Sequence, residues 1–114
     1  MTIETTNDAQ IISQTIIKQL GGNKFKAMTG AKNFGYVTNQ DNNNVSLSFS
    51  FPNKSGANCC RITLNSLDLY DMQFMRIRKK QGIPQFNTTA EHNGIYADQL
   101  QSIFTKETGL YTHL

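Results

Sequence analysis

Apolar and small polar residues alternate strictly over residues 45–51, and this pattern constrains the fold more than any other feature. The apolar positions are Val45, Leu47, Phe49 and Phe51, and a serine occupies each position between them. Successive side chains of a strand point to opposite faces, so a period of two predicts an antiparallel strand with one buried and one solvent-facing side. Such a strand requires a sheet whose apolar face is covered by a second layer.

Further extended segments surround this strand. They lie at 24–29, 32–38, 58–64, 67–78 and 84–91. Clusters of Asn, Gly, Ser and Pro separate them, and these residue types favour turns. The segment 67–78 carries apolar residues on both of its faces, which is typical of an interior strand. The middle of the chain is therefore predicted to form the sheet.

Helical spacing of apolar residues appears near the two ends of the chain. It predicts a helix over 8–20, stopped by Gly21 and Gly22, and a second helix over 97–108, capped by Gly109. Strands flanked by helices indicate an α+β fold. We predict a single two-layer domain, residues 1–114, in which an antiparallel sheet of about five strands has an N-terminal and a C-terminal helix packed on one face. Leu110, Tyr111 and Leu114 are expected to fold back onto the body.

Composition limits the class of protein. The hydrophobic fraction is 38% and the aromatic fraction 10%, which is too apolar for a disordered chain. No apolar run approaches the length of about 20 residues that spans a bilayer, and the polar N-terminus lacks the pattern of a secretory signal. We therefore expect a protein of the cytoplasm without membrane contact.

Motifs that carry catalysis are missing from the sequence. It contains no glycine-rich phosphate loop, no nucleophile elbow and no zinc-binding helix motif. His92 follows Glu91 directly, and adjacent strand residues diverge, so His92 is interpreted as an ordinary turn histidine. Asp68 and Asp71 are three apart and are predicted on opposite strand faces. We expect no enzymatic activity, no cofactor and no metal site.

The two cysteines, Cys59 and Cys60, are adjacent. The simplest interpretation is one buried thiol and one that faces outward, because strand neighbours alternate. A vicinal redox disulfide or a pair of metal ligands remains an alternative, although no Cys-x-x-Cys spacing supports a zinc site.

Positive charge is concentrated in the predicted sheet. The formal net charge is +3, whereas residues 22–80 contain nine Lys or Arg against three Asp. Cations interleaved with aromatic rings are typical of proteins that hold nucleic acid, because phosphates require charge and bases stack on rings. On this basis we predict non-catalytic binding of single-stranded or double-stranded DNA, with Phe74 stacking a base beside Arg76 and Arg78. The predicted site comprises Lys24, Lys26, Lys32, Phe74, Arg76, Arg78, Lys79 and Lys80.

A protein-interaction module is the alternative. Strands rich in Ser, Thr, Asn and Gln can offer an edge to a host protein or to a second copy of the chain, and Tyr70, Tyr96 and Tyr111 are candidate anchors. In this alternative the aromatic residues of the strands simply fill the core. Clustering of the predicted cations on one concave face favours nucleic acid, whereas their scatter favours a protein partner.

Three stretches together resemble an uncharacterised family of small proteins from bacteriophages and conjugative elements. They are Gln19–Phe34 (QLGGNKFKAMTGAKNF), Arg61–Met72 with its RITLNS start, and Gly94–Thr112 with GIYADQLQ and TGLYT. The resemblance covers nearly the whole chain and implies a mobile-element origin and a life in the host cytoplasm. It brings no catalytic or binding residue with it.

Overall fold

A computed structural model describes residues 2–54 and 56–112, with side chains from residue 9 onward. It confirms the predicted α+β class: five antiparallel strands lie between an N-terminal and a C-terminal helix. A short 3-10 turn at Ala97–Gln99 precedes the last helix. The elements are α1 (Thr2–Leu20), α2 (Gly22–Thr29), β1 (Lys32–Thr38), β2 (Val45–Ser50), β3 (Cys59–Leu64), β4 (Tyr70–Lys80), β5 (Ile83–Ile95) and α3 (Leu100–Thr108).

The sheet is a simple meander in the order β1-β2-β3-β4-β5. One face of it, which we call the helix-covered face, packs against the helices, and Phe104 of α3 contacts rings on β2 and β4. The opposite face, which we call the open face, carries the serines of β2. The alternation over 45–51 therefore corresponds, as predicted, to a strand with one buried side and one solvent-facing side. The buried side chains on the helix-covered face and on the helices include Ile16, Leu20, Phe25, Leu47, Phe49, Ile62, Met72, Phe74, Leu100 and Phe104.

The predicted helices are present with shifted starts. The first begins at Thr2 rather than at residue 8, and the second becomes α-helical only at Leu100. No helix in the described part of the chain is both long enough and apolar enough to cross a membrane. Leu110 packs against the core as predicted, but Tyr111 is 68% exposed, and Leu114 lies outside the described residues.

The segment 24–29, predicted as a strand, is helical. It forms α2, which buries Phe25 and Thr29 and ends at Gly30 in the left-handed conformation, with φ 72°. The hydroxyl of Thr29 donates to the carbonyl of Phe25 at 2.7 Å, one helical turn away. Residues 25 and 29 share a face in a strand and in a helix alike, so the alternation did not distinguish the two.

The last strand is longer than predicted. Asn93 and Gly94, a pair that is typical of a tight turn, belong to β5, which continues to Ile95. The pairing with β4 shifts between Tyr70 and Met72, and Gly94 takes a φ of 68° at this irregularity. The amide of Gly94 donates to Oδ1 of Asp71 at 3.0 Å. A bulge rather than a chain reversal therefore accommodates the Asn-Gly pair.

Strands β4 and β5 extend beyond the rest of the sheet as a two-stranded arm. Cys59, the first residue of β3, pairs with Met75, and the following residues of β4 pair only with β5. Gln81 and Gly82 form the turn at the tip of the arm, both with positive φ. We call residues 76–87 the arm, and the neighbouring side of the sheet the arm end.

Candidate nucleic-acid interface

Charge is separated along the strand direction. The segments at the arm end (30–33, 50–58 and 76–87) contain cations and no acidic residue, whereas the turns at the opposite end contain acidic residues and no Lys or Arg. The meander produces this separation because alternate turns fall at the same end of the sheet. The cations at the arm end are Lys32, Lys54, Arg76, Arg78, Lys79 and Lys80. The acidic residues at the far end are Asp41, Asp68, Asp71 and Asp98.

A groove of about 650 Å³ lies on the open face at the arm end. Cys59, Met75 and Ile77 line it with apolar surface, and none of the described residues around it is acidic. The groove thus combines an apolar floor with a cationic rim. Its charged lining residues are Lys32, Arg61, Arg78 and Lys79.

The start of β1 fixes one wall of the groove. Asn33 adopts a left-handed φ of 59°, and the β1–β2 register shifts at this point. The side-chain amide of Asn33 donates to Oγ of Ser50 at 2.9 Å, and that hydroxyl has a weak contact of 3.4 Å with the carbonyl of Lys32. These bonds hold the backbone at Lys32 beside the end of β2.

Phe86 of the arm forms the opposite wall. It pairs with Ile77 across the arm, so the two side chains share one face, and both line the groove. The residue is 63% exposed, which is unusual for a phenylalanine in a regular strand. An exposed ring therefore stands next to the apolar floor.

Five of the predicted cations lie on the arm or at the start of β1, and Arg76, described below, is one of them. Lys32 and Lys79 line the groove. Arg78 also contributes to the lining, although its position in the β4–β5 register places it on the helix-covered face of the strand. Lys80 is exposed next to the tip turn. These cations therefore lie together at the arm end of the sheet.

Lys24 and Lys26 do not share the sheet surface with these residues, because the segment that carries them is α2. Nζ of Lys26 lies 5.0 Å from the centroid of the Phe34 ring, a cation–π contact on the helix-covered face. The full predicted set therefore does not form a single concave surface, which is the outcome that favours a protein partner. Of that set, the groove brings together only Lys32, Arg78 and Lys79.

The predicted stacking role of Phe74 is wrong. Phe74 shares a strand face with Arg76 and Arg78 as expected, but that is the helix-covered face, and Phe74 is fully buried. Arg76 emerges beyond the helices and donates from Nη1 to the carbonyls of Asn53 at 2.8 Å and Gly56 at 3.1 Å. Arg76 therefore holds the β2–β3 loop.

Sequence reasoning missed Arg61 and Phe86. The signal for Arg61 was its position between Cys60 and Ile62 in β3, which placed it on the polar face. The signal for Phe86 was the Gln81–Gly82 turn, because pairing outward from that turn brings Phe86 opposite Ile77.

Both cysteines are buried, which corrects the prediction of one outward-facing thiol. Cys60 is fully buried in the core, whereas Cys59 is 8% exposed and lines the groove. Both thiols are free. Burial raises the pKa of the Cys59 thiol, and the charge of Arg61 offsets part of this rise. Burial raises the pKa of Cys60 well above its ordinary value.

Other candidate side chains serve the fold. Tyr70 is buried and donates from its hydroxyl to Oε1 of Gln19 at 2.8 Å, so it is not a surface anchor; Tyr96 is exposed. His92 lies in β5, not in a turn, and contacts Glu107 of α3. Among the described residues, no three His, Cys, Asp or Glu side chains converge as metal ligands would.

The chain was compared with models of protein families, with curated proteins and with solved structures, and it matches none of them.

Proposed function

We propose that this protein binds nucleic acid at the arm end of its sheet, without catalysis. The observation that carries the proposal is the groove whose charged lining residues are all cations, at the end of the molecule that has no acidic residue in its loops and arm. Lys and Arg that neutralise phosphates supply most of the affinity of nucleic-acid-binding proteins. The mobile-element origin implied by the sequence resemblance stays a prediction and fits this role.

The shape of the charged region supports a polyanion rather than a small ligand. Lys32 on β1 and Phe86 on β5 lie at opposite edges of the sheet, and four strand spacings of about 4.8 Å separate their strands by roughly 19 Å. Lys80, at the tip of the arm, extends the positively charged surface beyond the groove. A ligand that contacts all of these cations must be extended and repeatedly charged.

Fluorescence anisotropy with labelled single-stranded and double-stranded oligonucleotides tests the proposal. Affinity is expected to fall steeply as salt rises, because bound counterions are released. Lys79→Glu is expected to weaken binding by about tenfold or more. Lys106→Glu on α3 is the matched control, since it changes the net charge equally at an exposed site away from the groove. Absence of binding in dilute buffer, or equal loss in both variants, ends the proposal.

A second candidate rests on the free edge of β5. This strand has thirteen residues and pairs with β4 alone among the described strands, so its outer backbone groups are open to a strand from a host protein or from a second copy. Light scattering after size-exclusion chromatography detects a homodimer. A dimer that dissociates on Thr88→Pro, with unchanged oligonucleotide binding, would assign the edge to self-association.

A further inference from the structure

The arm presents an aromatic ring to solvent. Phe86 is 63% exposed, whereas the aromatic residues of β2 and β4 that face the helices are buried. Its cross-strand neighbour Ile77 is only half-buried, so the pair forms an apolar surface on the open face. Single exposed apolar residues are common, so the significance of this pair depends on its continuity with the groove.

This apolar surface is continuous with the floor of the groove. Met75 lies two residues before Ile77 on the same strand face and pairs with Cys59, and all three line the groove. Lys79 lies two residues beyond Ile77, and Arg61 lies two residues beyond Cys59. A flat apolar site therefore has a cation on each side along the strand direction.

Double-stranded nucleic acid does not match this arrangement. A duplex hides its base faces in the stack and presents phosphates, so it would use Lys79 and Arg61 but leave Phe86 unused. A single strand offers unstacked bases and flanking phosphates together, and proteins that bind it combine aromatic platforms with a cationic groove.

We propose that the groove binds single-stranded DNA or RNA, with one base stacked on the ring of Phe86, a phosphate next to that base at Lys79, and a phosphate farther along the strand at Arg61. Lys32 extends the track toward β1. This inference rests on the proposed function and adds the substrate class and the residue that selects it. The shared chemistry is an unpaired base next to phosphate, which DNA and RNA both supply.

The sequence contains no tryptophan, so Phe86→Trp introduces a single tryptophan at the proposed stacking position, and its fluorescence can be excited selectively over that of the four tyrosines. Ile83→Trp is the matched control, because Ile83 is 64% exposed on the same arm but pairs with Lys80 on the other face. The ligands are single-stranded DNA and RNA oligonucleotides of about 12 nucleotides, within the range that such grooves cover, the corresponding duplex, and inorganic polyphosphate. Stacking predicts that single strands quench the fluorescence of the Phe86→Trp variant, that duplex and polyphosphate change it little, and that the Ile83→Trp variant responds little to any ligand.

Affinity measurements provide the second readout. Phe86→Leu keeps an apolar side chain but removes the ring, and it is expected to weaken single-strand binding by about 5- to 150-fold, the range that loss of one base–aromatic stack corresponds to. Phe86→Trp is expected to match or exceed the original affinity. Because the side chain is exposed, both variants should unfold at the original temperature.

The outcomes separate the inference from the proposed function. Equal affinity for duplex and single strand, equal quenching in the Ile83→Trp and Phe86→Trp variants, or an unchanged affinity of Phe86→Leu overturns the stacking site, while the loss caused by Lys79→Glu still supports nucleic-acid binding. Failure of the unmodified protein to bind any oligonucleotide at low salt overturns both. A difference in affinity between the DNA and RNA oligonucleotides identifies which of the two nucleic acids the groove prefers.

Discussion

Nε2 of His92 lies 2.7 Å from Oε2 of Glu107, and this contact joins the edge strand β5 to the last turns of α3. The two side chains are 28% and 25% exposed, so water screens the interaction only partly. The His92 ring also meets the edge of the Phe74 ring at a centroid distance of 6.3 Å. The histidine therefore joins the last turn of the C-terminal helix to the edge of the sheet.

We expect Glu107→Ala to lower the free energy of unfolding by up to about 1 kcal/mol, since a partly buried pair is worth more than most surface pairs. Urea denaturation followed by circular dichroism measures the change. Glu91→Ala is the control, because Glu91 is exposed and its carboxylate makes only a long contact, 3.4 Å, with Gln73. Equal effects of the two substitutions would show that the contact between His92 and Glu107 contributes nothing specific.

Removal of the ring should lower the free energy of unfolding strongly at one phenylalanine and hardly at all at another. Phe104 is fully buried and lies within 5.1–6.3 Å, between ring centroids, of Phe25, Phe49, Phe51 and Phe74. Phe104→Ala should therefore cost about 3–5 kcal/mol of unfolding free energy. Phe86→Ala should change it by less than about 0.5 kcal/mol, because the ring is exposed. A large loss of stability in Phe86→Ala, measured by urea denaturation, would mean that the ring serves the fold and not a ligand.

The sheet could be predicted because its pattern has a single interpretation. In β2, polar and apolar residues alternate with no exception, and only a strand places all the apolar ones on one side. Residues 24–29 allowed two interpretations, because Phe25 and Thr29 are in phase with both periods. Ala27 separates them in the structure: a strand would bury it with Phe25, whereas in α2 it is exposed.

The candidate site was only half predictable. Basic residues in the central strands pointed to the end of the molecule where the groove lies, but the face of β4 that the helices cover depends on tertiary packing. Phe74 and Met75 are both apolar, so their residue types offered no reason to prefer one as core. Once Phe74 packs against Phe104, Met75 and Ile77 must face the groove.

Arg76 should affect stability more than affinity. Its guanidinium donates to the carbonyls of Asn53 and Gly56, and no change at Arg76 reaches the groove directly. Arg76→Gln is expected to cost about 1.5 kcal/mol, the lower range for hydrogen bonds from a charged group, since the guanidinium is partly solvated. Limited proteolysis should then cut the loop 51–58 faster.

Lys79→Gln should instead affect the affinity for nucleic acid more than the stability of the fold. It should leave the free energy of unfolding within about 0.5 kcal/mol and lower the slope of log affinity against log salt by about 0.7 for a single strand. If Arg76→Gln reduced the salt slope as much as Lys79→Gln does, at unchanged stability, Arg76 would have to be placed among the phosphate contacts.

Cys59 reports on occupancy of the groove. Burial raises the pKa of its thiol, so the reactive thiolate is scarce at neutral pH, and alkylation by iodoacetamide should be slow and accelerate by about tenfold per pH unit below that pKa. Cys60 should stay unmodified in the folded protein, because it is fully buried. Trypsin leaves both cysteines in the peptide 55–61, so fragmentation of that peptide by tandem mass spectrometry distinguishes the two sites.

A saturating single-stranded oligonucleotide should slow the alkylation of Cys59. In urea both cysteines should react, which controls for reagent and digestion. Alkylation of Cys59 at an unchanged rate in the presence of bound oligonucleotide would place the ligand outside the groove.

The turn at the tip of the arm sets the register that brings Phe86 opposite Ile77. Gln81 and Gly82 have φ values of 55° and 82°, and Asn-Gly is the preferred pair for a two-residue turn of this hand. Gln81→Asn should stabilise the arm by about 0.5 kcal/mol, and Gly82→Ala should destabilise it by about 1 kcal/mol.

Hydrogen exchange measures these changes locally. Beyond Met75 the arm strands pair in the sheet only with each other, and hydrogen bonds through the side chains of Asn58 and Arg76 join the arm to the β2–β3 loop. The arm can therefore open without global unfolding once these side-chain bonds break. Exchange of the amides of Arg76, Arg78 and Lys80, which lie on the β5 side of β4, should therefore slow in Gln81→Asn and accelerate in Gly82→Ala, while the amides of β3 remain unchanged. Parallel changes in β3 would instead mean that the arm and the body of the sheet unfold as one unit.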